Sequence, residues 1–339
     1  MPDTIAETAE FLQLARLREL AAGRVTVHTL ADLHYRQQRF AVDAFELGNP
    51  RPDVPVLVFV GGVHGVERIG AQVVLAFLEN LLQRLAWDDS LHSLLQQMRL
   101  WFVPIVNPVG LALCRRSNGN HVDLMRNAPV DATGPVTPLV GGQRLTRLLP
   151  WYRGRDGVLE PEAGALLTLV MTELARAPLV MTLDVHSGFG LRDRLWFPLA
   201  SSRQPIAHLA EMYGLFELLG RSYPHHDYLF EPQSAHYLTH GDLWDYAYLQ
   251  GRHSASLLLP LTLEMGSWRW LKKNPRQLGR LGLFNPVKPH RQQRVLRRHL
   301  SLMEFLIRAT LSWRNWVPDG QQRLANQQQA LKLWYPEYD

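Results

Sequence analysis

A single cysteine, Cys114, stands in 339 residues. Without a partner in the chain it excludes an intrachain disulfide and a thiolate-rich metal site, so any metal here has to rely on histidine and carboxylate. A reducing cytoplasm fits that usage. No run approaches the roughly 20 apolar residues of a membrane span. The start, MPDTIAETAEFLQLARL, lacks the basic residues followed by an apolar block that would mark a secretory signal. The chain has neither a GxxxxGKS/T phosphate loop nor a GxSxG nucleophile turn. Internal repeats, low-complexity tracts and Gly/Ser linkers are missing too. One domain is therefore expected, with an N-terminal helical segment over 1–24, a main body over 25–288, and a C-terminal helix and tail over 289–339 packed on that body.

Acidic residues are absent from 267–300, where Arg269, Lys272, Lys273, Arg276, Arg280, Lys288, Arg291, Arg294, Arg297 and Arg298 gather. This segment accounts for the net charge of +5. It reads as a solvated face and a helix exterior. Apart from Trp268 and Trp270, few aromatics interleave as base stacking requires, so nucleic acid is not the expected partner.

With 46% hydrophobic and 20% charged residues, a large folded core is expected. Residues 4–21 have the spacing of an amphipathic helix. RVTVHTL and RFAVDAFELG alternate like paired strands. VPVLVFV (54–60) is a short apolar run suited to a strand buried on both faces, and IGAQVVLAFLENLLQRL follows with helical period. The pattern recurs in RLWFVPIVNP, in APLVMTLDVHSG (177–188) and in ASLLLPLTLEMGS (255–267), where Pro260 predicts an edge position or a bulge. RVLRRHLSLMEFLIRATL reads as a terminal packing helix. Strands alternating with helices predict an α/β fold: a mixed, mainly parallel twisted sheet with helices on both faces.

Ligands in such sheets gather at the carboxyl ends of the strands. There the chain sets His64 and Glu67 (in GGVHGVERIG), His186 (in DVHSG) and Glu264 (in TLEMGS). Two imidazoles and a carboxylate that leave a position open to water form a catalytic zinc arrangement, and a free carboxylate beside them would activate that water. A buried glutamate costs several kcal/mol unless it has such a purpose or a partner. In RRSNGNHVDLMRN (115–127), Arg116, Arg126 and Asn127 are donors suited to a carboxylate-bearing substrate. His225, His226 and Asp227 (YPHHDY) read as an exposed loop. His236 and His240 have helical spacing without the glutamate of an HExxH motif, and read as cleft-lining or structural.

HGVE, RSNGNHVDLMRN, DVHSG and TLEMGS, in this order, resemble the zinc carboxypeptidases of the carboxypeptidase A superfamily, over about residues 54–267. The resemblance implies one zinc ion held by His64, Glu67 and His186, with Glu264 as general base. It implies that Arg116 polarises the scissile carbonyl, with Arg115 as its neighbouring competitor, and that Arg126 grips the substrate carboxylate. Asp123 would orient the first histidine. HYLTHGDLWDYAYLQG (236–251) is similar to the segment carrying the substrate-capping tyrosine. Tyr237 takes that place, with Tyr246 and Tyr248 as competitors, and Trp244 takes that of a pocket-lining residue. One departure is Met125, where the family usually has Asn, because a thioether cannot share in holding a carboxylate. A small peptide and an N-acyl amino acid both remain as expected substrates, and a metal- or acidic-ligand-binding protein without turnover is the rival outside enzymology.

Overall fold

The structure, a computed structural model, describes residues 8–277 and 279–338. Helix α1 (Ala9–Ala21) realises the first expected helix, of which residues 4–7 lie outside the described residues. It leads into a hairpin of β1 (Thr26–Tyr35) and β2 (Gln38–Gly48). Then follow β3 (Val56–Gly61), α2 (Arg68–Arg84), α3 (Asp89–Leu95), β4 (Arg99–Val103) and α4 (Pro108–Ala112). After a long connection come α5 (Pro161–Leu174), β5 (Leu179–Ser187), β6 (Arg194–Phe197), α6 (Leu209–Ser222), β7 (Leu229–Pro232), α7 (Leu243–Gly251) and β8 (Leu257–Met265). The described chain closes with α8 (Trp268–Lys273), α9 (Arg280–Phe284), α10 (Pro289–Leu311) and α11 (Gly320–Trp334).

The strands form one eight-stranded sheet in the order β1-β2-β4-β3-β5-β8-β6-β7. β4, β3, β5 and β8 run parallel through its centre, and antiparallel pairings join β1, β2 and β6 to that block. The alternation along β3 shows why. Leu57 and Phe59 enter a core shared with α1, α2, α6 and α10, while Val56, Val58 and Val60 enter a second core shared with α5 and α7. A strand with both faces covered has no use for a polar residue, which is why this stretch reads as an unbroken apolar run. Each such side chain contributes about 1.5–3 kcal/mol on burial. The fold is a single α/β domain, and no helix among the described residues is long and apolar enough to cross a membrane.

Pro260 is a correction in part. β8 lies inside the sheet, and its ladder with β5 runs from Leu257 to Met265 without a bulge. β6, however, pairs only with Thr262, Leu263 and Glu264, so position 260 has a ladder partner, Thr182, on one side alone. The strand is locally an edge there, and a residue without an N–H is tolerated. The four-residue strands β6 and β7 went unpredicted because so short a run carries little periodicity.

Two buried polar contacts tie the layers together. Arg99, at the start of β4, is 1% exposed and donates from Nη1 to Glu173 Oε2 of α5 (2.6 Å), with Nε and Nη2 on the carbonyls of Asn49 and Arg51. Asn118 Nδ2 donates to Glu160 and Glu162 at the start of α5. Burial, with the Glu160 charge beside it, pushes the Glu162 carboxyl up to about 7.

Glu173→Ala removes the nearer of the two carboxylates at the buried Arg99 guanidinium and leaves Glu46 at 3.6 Å as its remaining counter-charge, and urea unfolding is expected to show a loss of about 3 kcal/mol. Glu162 has the opposite signature. Its folded pKa lies above that of the unfolded chain, so the unfolded state releases the proton first and stability falls from about pH 4.5 to about pH 7. Unfolding of Glu162→Gln between pH 4 and 8 should lack that part of the decline.

Candidate metal centre

The segment between β3 and α2 turns sharply at the carboxyl edge of the sheet. Gly62 sits at φ +63°, a conformation that strains any side chain. At Gly65 a Cβ would lie 2.0 Å from the backbone of Gly110, so the approach of α4 demands glycine there as well. These constraints bring His64 and Glu67 back over the end of β3. His186 ends β5, and the parallel ladder sets it directly beside Glu264 of β8.

His64, Glu67 and His186 are all buried, and their ligand atoms lie within 4.8 Å of one another. This is the one such cluster found among the described residues. His64 Nδ1 is 3.0 Å from Glu67 Oε1, and His186 Nδ1 is 3.2 Å from Glu67 Oε2. Ser187 N donates to Glu67 Oε2 and Arg116 Nη1 to Oε1. Burial opposes ionisation of Glu67, yet the two imidazoles outweigh it and hold the carboxyl well below its usual range.

The far nitrogens of both rings meet carboxylates. His64 Nε2 lies 3.0 Å from Asp123 Oδ1, and His186 Nε2 lies 2.7 Å from Asp184 Oδ2. A proton on His64 Nε2, shared with Asp123, leaves the Nδ1 lone pair directed into the cluster, which is how histidine ligands are oriented, and the Asp184 charge beside His186 Nε2 favours the same tautomer there. His64 Nδ1 has no hydrogen-bond partner despite its burial. A divalent cation satisfies that atom and offsets the surplus of carboxylates, and a His–Glu–His set with no thiolate suits zinc. The residues therefore fit the metal. Asp184 went unnoticed in the sequence although it stands two residues before His186. That spacing in a strand puts both side chains on one face, and this was the available signal.

Beside the cluster, a pocket of about 40 Å³ is lined by His64, His186, Glu264, Arg116, Arg126 and Tyr237, and also by Met125, Trp196, Gln233 and Thr262. Glu264 accepts from Phe189 N and makes no ion pair among the described residues. Burial, followed by the Glu67 charge, pushes its carboxyl up to about 8. Arg116 is anchored by Nε on Asp123 Oδ2 (2.7 Å) as well as by Nη1 on Glu67. Arg126 donates from Nε to Val140 O and from Nη1 to Met125 O.

Two expectations need correction. Trp244 does not line the pocket. It is 2% exposed, sits in the core shared with α5, and donates its indole N–H to Asp184 Oδ2 (2.9 Å), which supports the residue that faces His186. Asn127 offers nothing to a substrate, because its Nδ2 donates to the carbonyls of Arg153 and Val158 and its Oδ1 accepts from Glu160 N. His236 and His240, which do not share a helix, are engaged by neighbouring groups, in keeping with the structural reading of them. His236 lies 2.6 Å from Glu231, and His240 Nδ1 accepts from Ala132 N. Among the competing tyrosines, Tyr248 is in the core with its hydroxyl at His208, and Tyr246 packs against the core that holds α5. His226 Nδ1 accepts from Tyr228 N, and Asp227 pairs with Arg298.

Asp123→Asn and Asp184→Asn retain shape but remove the charge opposite each ligand's Nε2. Each is expected to weaken zinc binding about 10–100-fold in a chelator competition, with an unchanged circular dichroism spectrum.

The zinc carboxypeptidase family, Peptidase_M14, matches residues 28–266. Carboxypeptidase D of Homo sapiens is 29% identical over 103 residues, covering 27% of this chain and 8% of that protein. Carboxypeptidase SOL1 of Arabidopsis thaliana is 29% identical over 75 residues, covering 22% and 15%. The match thus spans only a small part of these curated relatives. Among solved structures, thrombin-activatable fibrinolysis inhibitor aligns with a TM-score of 0.66 at 16% identity, over 91% of this chain and 78% of that one. Carboxypeptidase A from Helicoverpa armigera aligns at 0.65 and 19%, over 90% and 74%. A metallo-carboxypeptidase from Burkholderia cenocepacia aligns at 0.55 and 14%, over 90% and 70%. At those identities the structures share the fold. With the family match extending over most of its length, this chain belongs to the zinc carboxypeptidases.

Proposed function

We propose that the protein is a zinc-dependent hydrolase that cleaves a peptide or amide bond next to a substrate carboxylate. The observation that carries this reading is Glu264: a buried carboxylate with no ion-pair partner among the described residues, lining the same pocket as the His64–Glu67–His186 cluster. Burying such a group costs stability that packing does not return. A base for activating water explains its presence, whereas binding alone does not.

One zinc ion held by His64, Glu67 and His186 would acidify water toward neutrality and would supply positive charge for the developing oxyanion. With the positive charge of a bound ion beside it favouring the ionised form, Glu264 would accept the proton as the water attacks and return it to the leaving amine. Arg116, held by Asp123 and Glu67, directs its guanidinium at the carbonyl oxygen, where one preorganised donor is worth about 3 kcal/mol. Arg126, its guanidinium held through Nε and Nη1 by two backbone carbonyls, receives the substrate carboxylate through Nη2, and Tyr237 covers the bound substrate. The single cysteine makes the cytoplasm the setting we favour.

A second reading, release of a small acyl group from an N-acyl amino acid, is favoured by Met125. With a thioether beside Arg126 and the Asn127 amide engaged elsewhere, Arg126 is the one charged donor left for a carboxylate at that end of the pocket.

Glu264→Gln is expected to lower hydrolysis about 10²–10⁴-fold while metal analysis still finds one zinc per chain. Undiminished activity would point to a protein that binds without turnover. Arg126→Ala should raise KM for substrates with a free carboxylate and leave amidated ones unaffected. Comparing free peptides, C-terminally amidated peptides and N-acyl amino acids on the zinc-loaded protein separates the two readings.

A further inference from the structure

The basic residues beyond β8 do not simply spread over the surface. α8 turns Arg269 and Lys273, four residues apart, to one wall of a cleft, and α10 turns Arg291, Arg294, Arg297 and Arg298 to the other. Both sets follow the three-and-four spacing of a single helix face. The cleft has a volume of about 390 Å³ and also includes His290. Asp193 is the one carboxylate among its described lining residues, and it is already committed. Its Oδ1 accepts from Gly266 N and pairs with Arg269, and its Oδ2 lies 3.0 Å from Arg298 Nε. Lys273, Arg294 and Arg297 have no carboxylate partner among the described residues.

The floor carries an independent sign of a ligand. His299 is 1% exposed and lines the cleft; its Nδ1 is engaged with the Tyr228 hydroxyl (2.9 Å), and its Nε2 has no hydrogen-bond partner. Asp193 Oδ2 lies 3.7 Å from that nitrogen, beyond hydrogen-bond distance though close enough to interact with it electrostatically. Like charges three and four residues apart repel, and in a concave cleft water screens that repulsion less well than on an open face. An arrangement of this kind is stabilised by an anion that several cations bind together.

We propose that this cleft is a second ligand site, separate from the metal centre, for a small anion bearing two or more linked phosphates, as in pyrophosphate or the phosphate chain of a nucleotide. Guanidinium forks match phosphate oxygens in pairs, and two facing helix walls bring several of them to one compact charge. The volume falls in the range of small-molecule sites. The concave shape and the scarcity of interleaved aromatics argue against an extended nucleic acid strand.

Calorimetric titration of the zinc-loaded full chain with sodium pyrophosphate, tripolyphosphate and ATP tests this, with zinc content measured afterwards to exclude metal extraction. Binding that weakens with salt is expected. The double variant Arg294→Glu, Arg297→Glu should lose about tenfold or more in affinity. Arg24→Glu, Arg203→Glu, an equal change in charge at exposed positions elsewhere, should stay within about twofold of the parent, since charge at a distance is screened. Should thermal melting show that the charge reversal unfolds the protein, Arg294→Gln, Arg297→Gln replaces it, with a loss in the same direction expected. Equal affinity for the three ligands assigns recognition to the phosphates, and tighter ATP binding adds the nucleoside; both support the site. Lack of binding at millimolar pyrophosphate and low salt overturns the proposal. So do equal losses in the cleft and control variants, or binding confined to an oligonucleotide, an anionic vesicle or an oligoglutamate.

Discussion

Both oxygens of Glu67 are committed, and the commitments come from three separated parts of the chain. His64 approaches from its own turn, His186 and the Ser187 N–H from the end of β5, and Arg116 from the loop that follows α4. A buried carboxylate cannot be left half-satisfied, so folding this site correctly means completing all three connections together. The same requirement explains the surrounding economy of parts. Arg116 also holds Asp123, Asp123 faces His64, and Asp184 faces His186 while accepting from Trp244. Each group that faces a potential metal or substrate is therefore oriented by another that is itself fixed.

Much of this was legible before the fold was known. The central strands announced themselves as short apolar runs because they are covered on both sides. Polar residues that interrupt such runs at their carboxyl ends have few explanations other than a site. What escaped notice did so for identifiable reasons. Asp184 was visible as a letter, but its role depends on a ring nitrogen that only three dimensions reveal. Trp244 and Asn127 sit within segments similar to family motifs, yet their side chains turn to partners that spacing cannot specify: a carboxylate on β5 and three backbone groups between 153 and 160. Pro260 was assigned to an edge on sound grounds, but an edge belongs to a residue's neighbours and not to the strand as a whole.

Charge is distributed with opposite surplus in two places. Around the His64–Glu67–His186 cluster, carboxylates predominate and are held by imidazoles, Arg116 and backbone donors. On the far side of α8, arginines predominate around one buried aspartate. Trp268 and Trp270 divide the two regions. The former donates to Gly188 O and packs on Phe189, whose N–H meets Glu264, while the latter is buried and lines the basic cleft. A six-residue helix thus has a different electrostatic task on each of its sides.

The side-by-side register of His186 and Glu264 has an evolutionary consequence. Side chains alternate between faces of a strand, so losing or gaining one residue within β5 or β8 would send the affected group into the opposite core. Length changes in this lineage are therefore expected to collect in the connecting loops, such as the long stretch between α4 and α5, while the two central strands keep their length even as their apolar residues are exchanged.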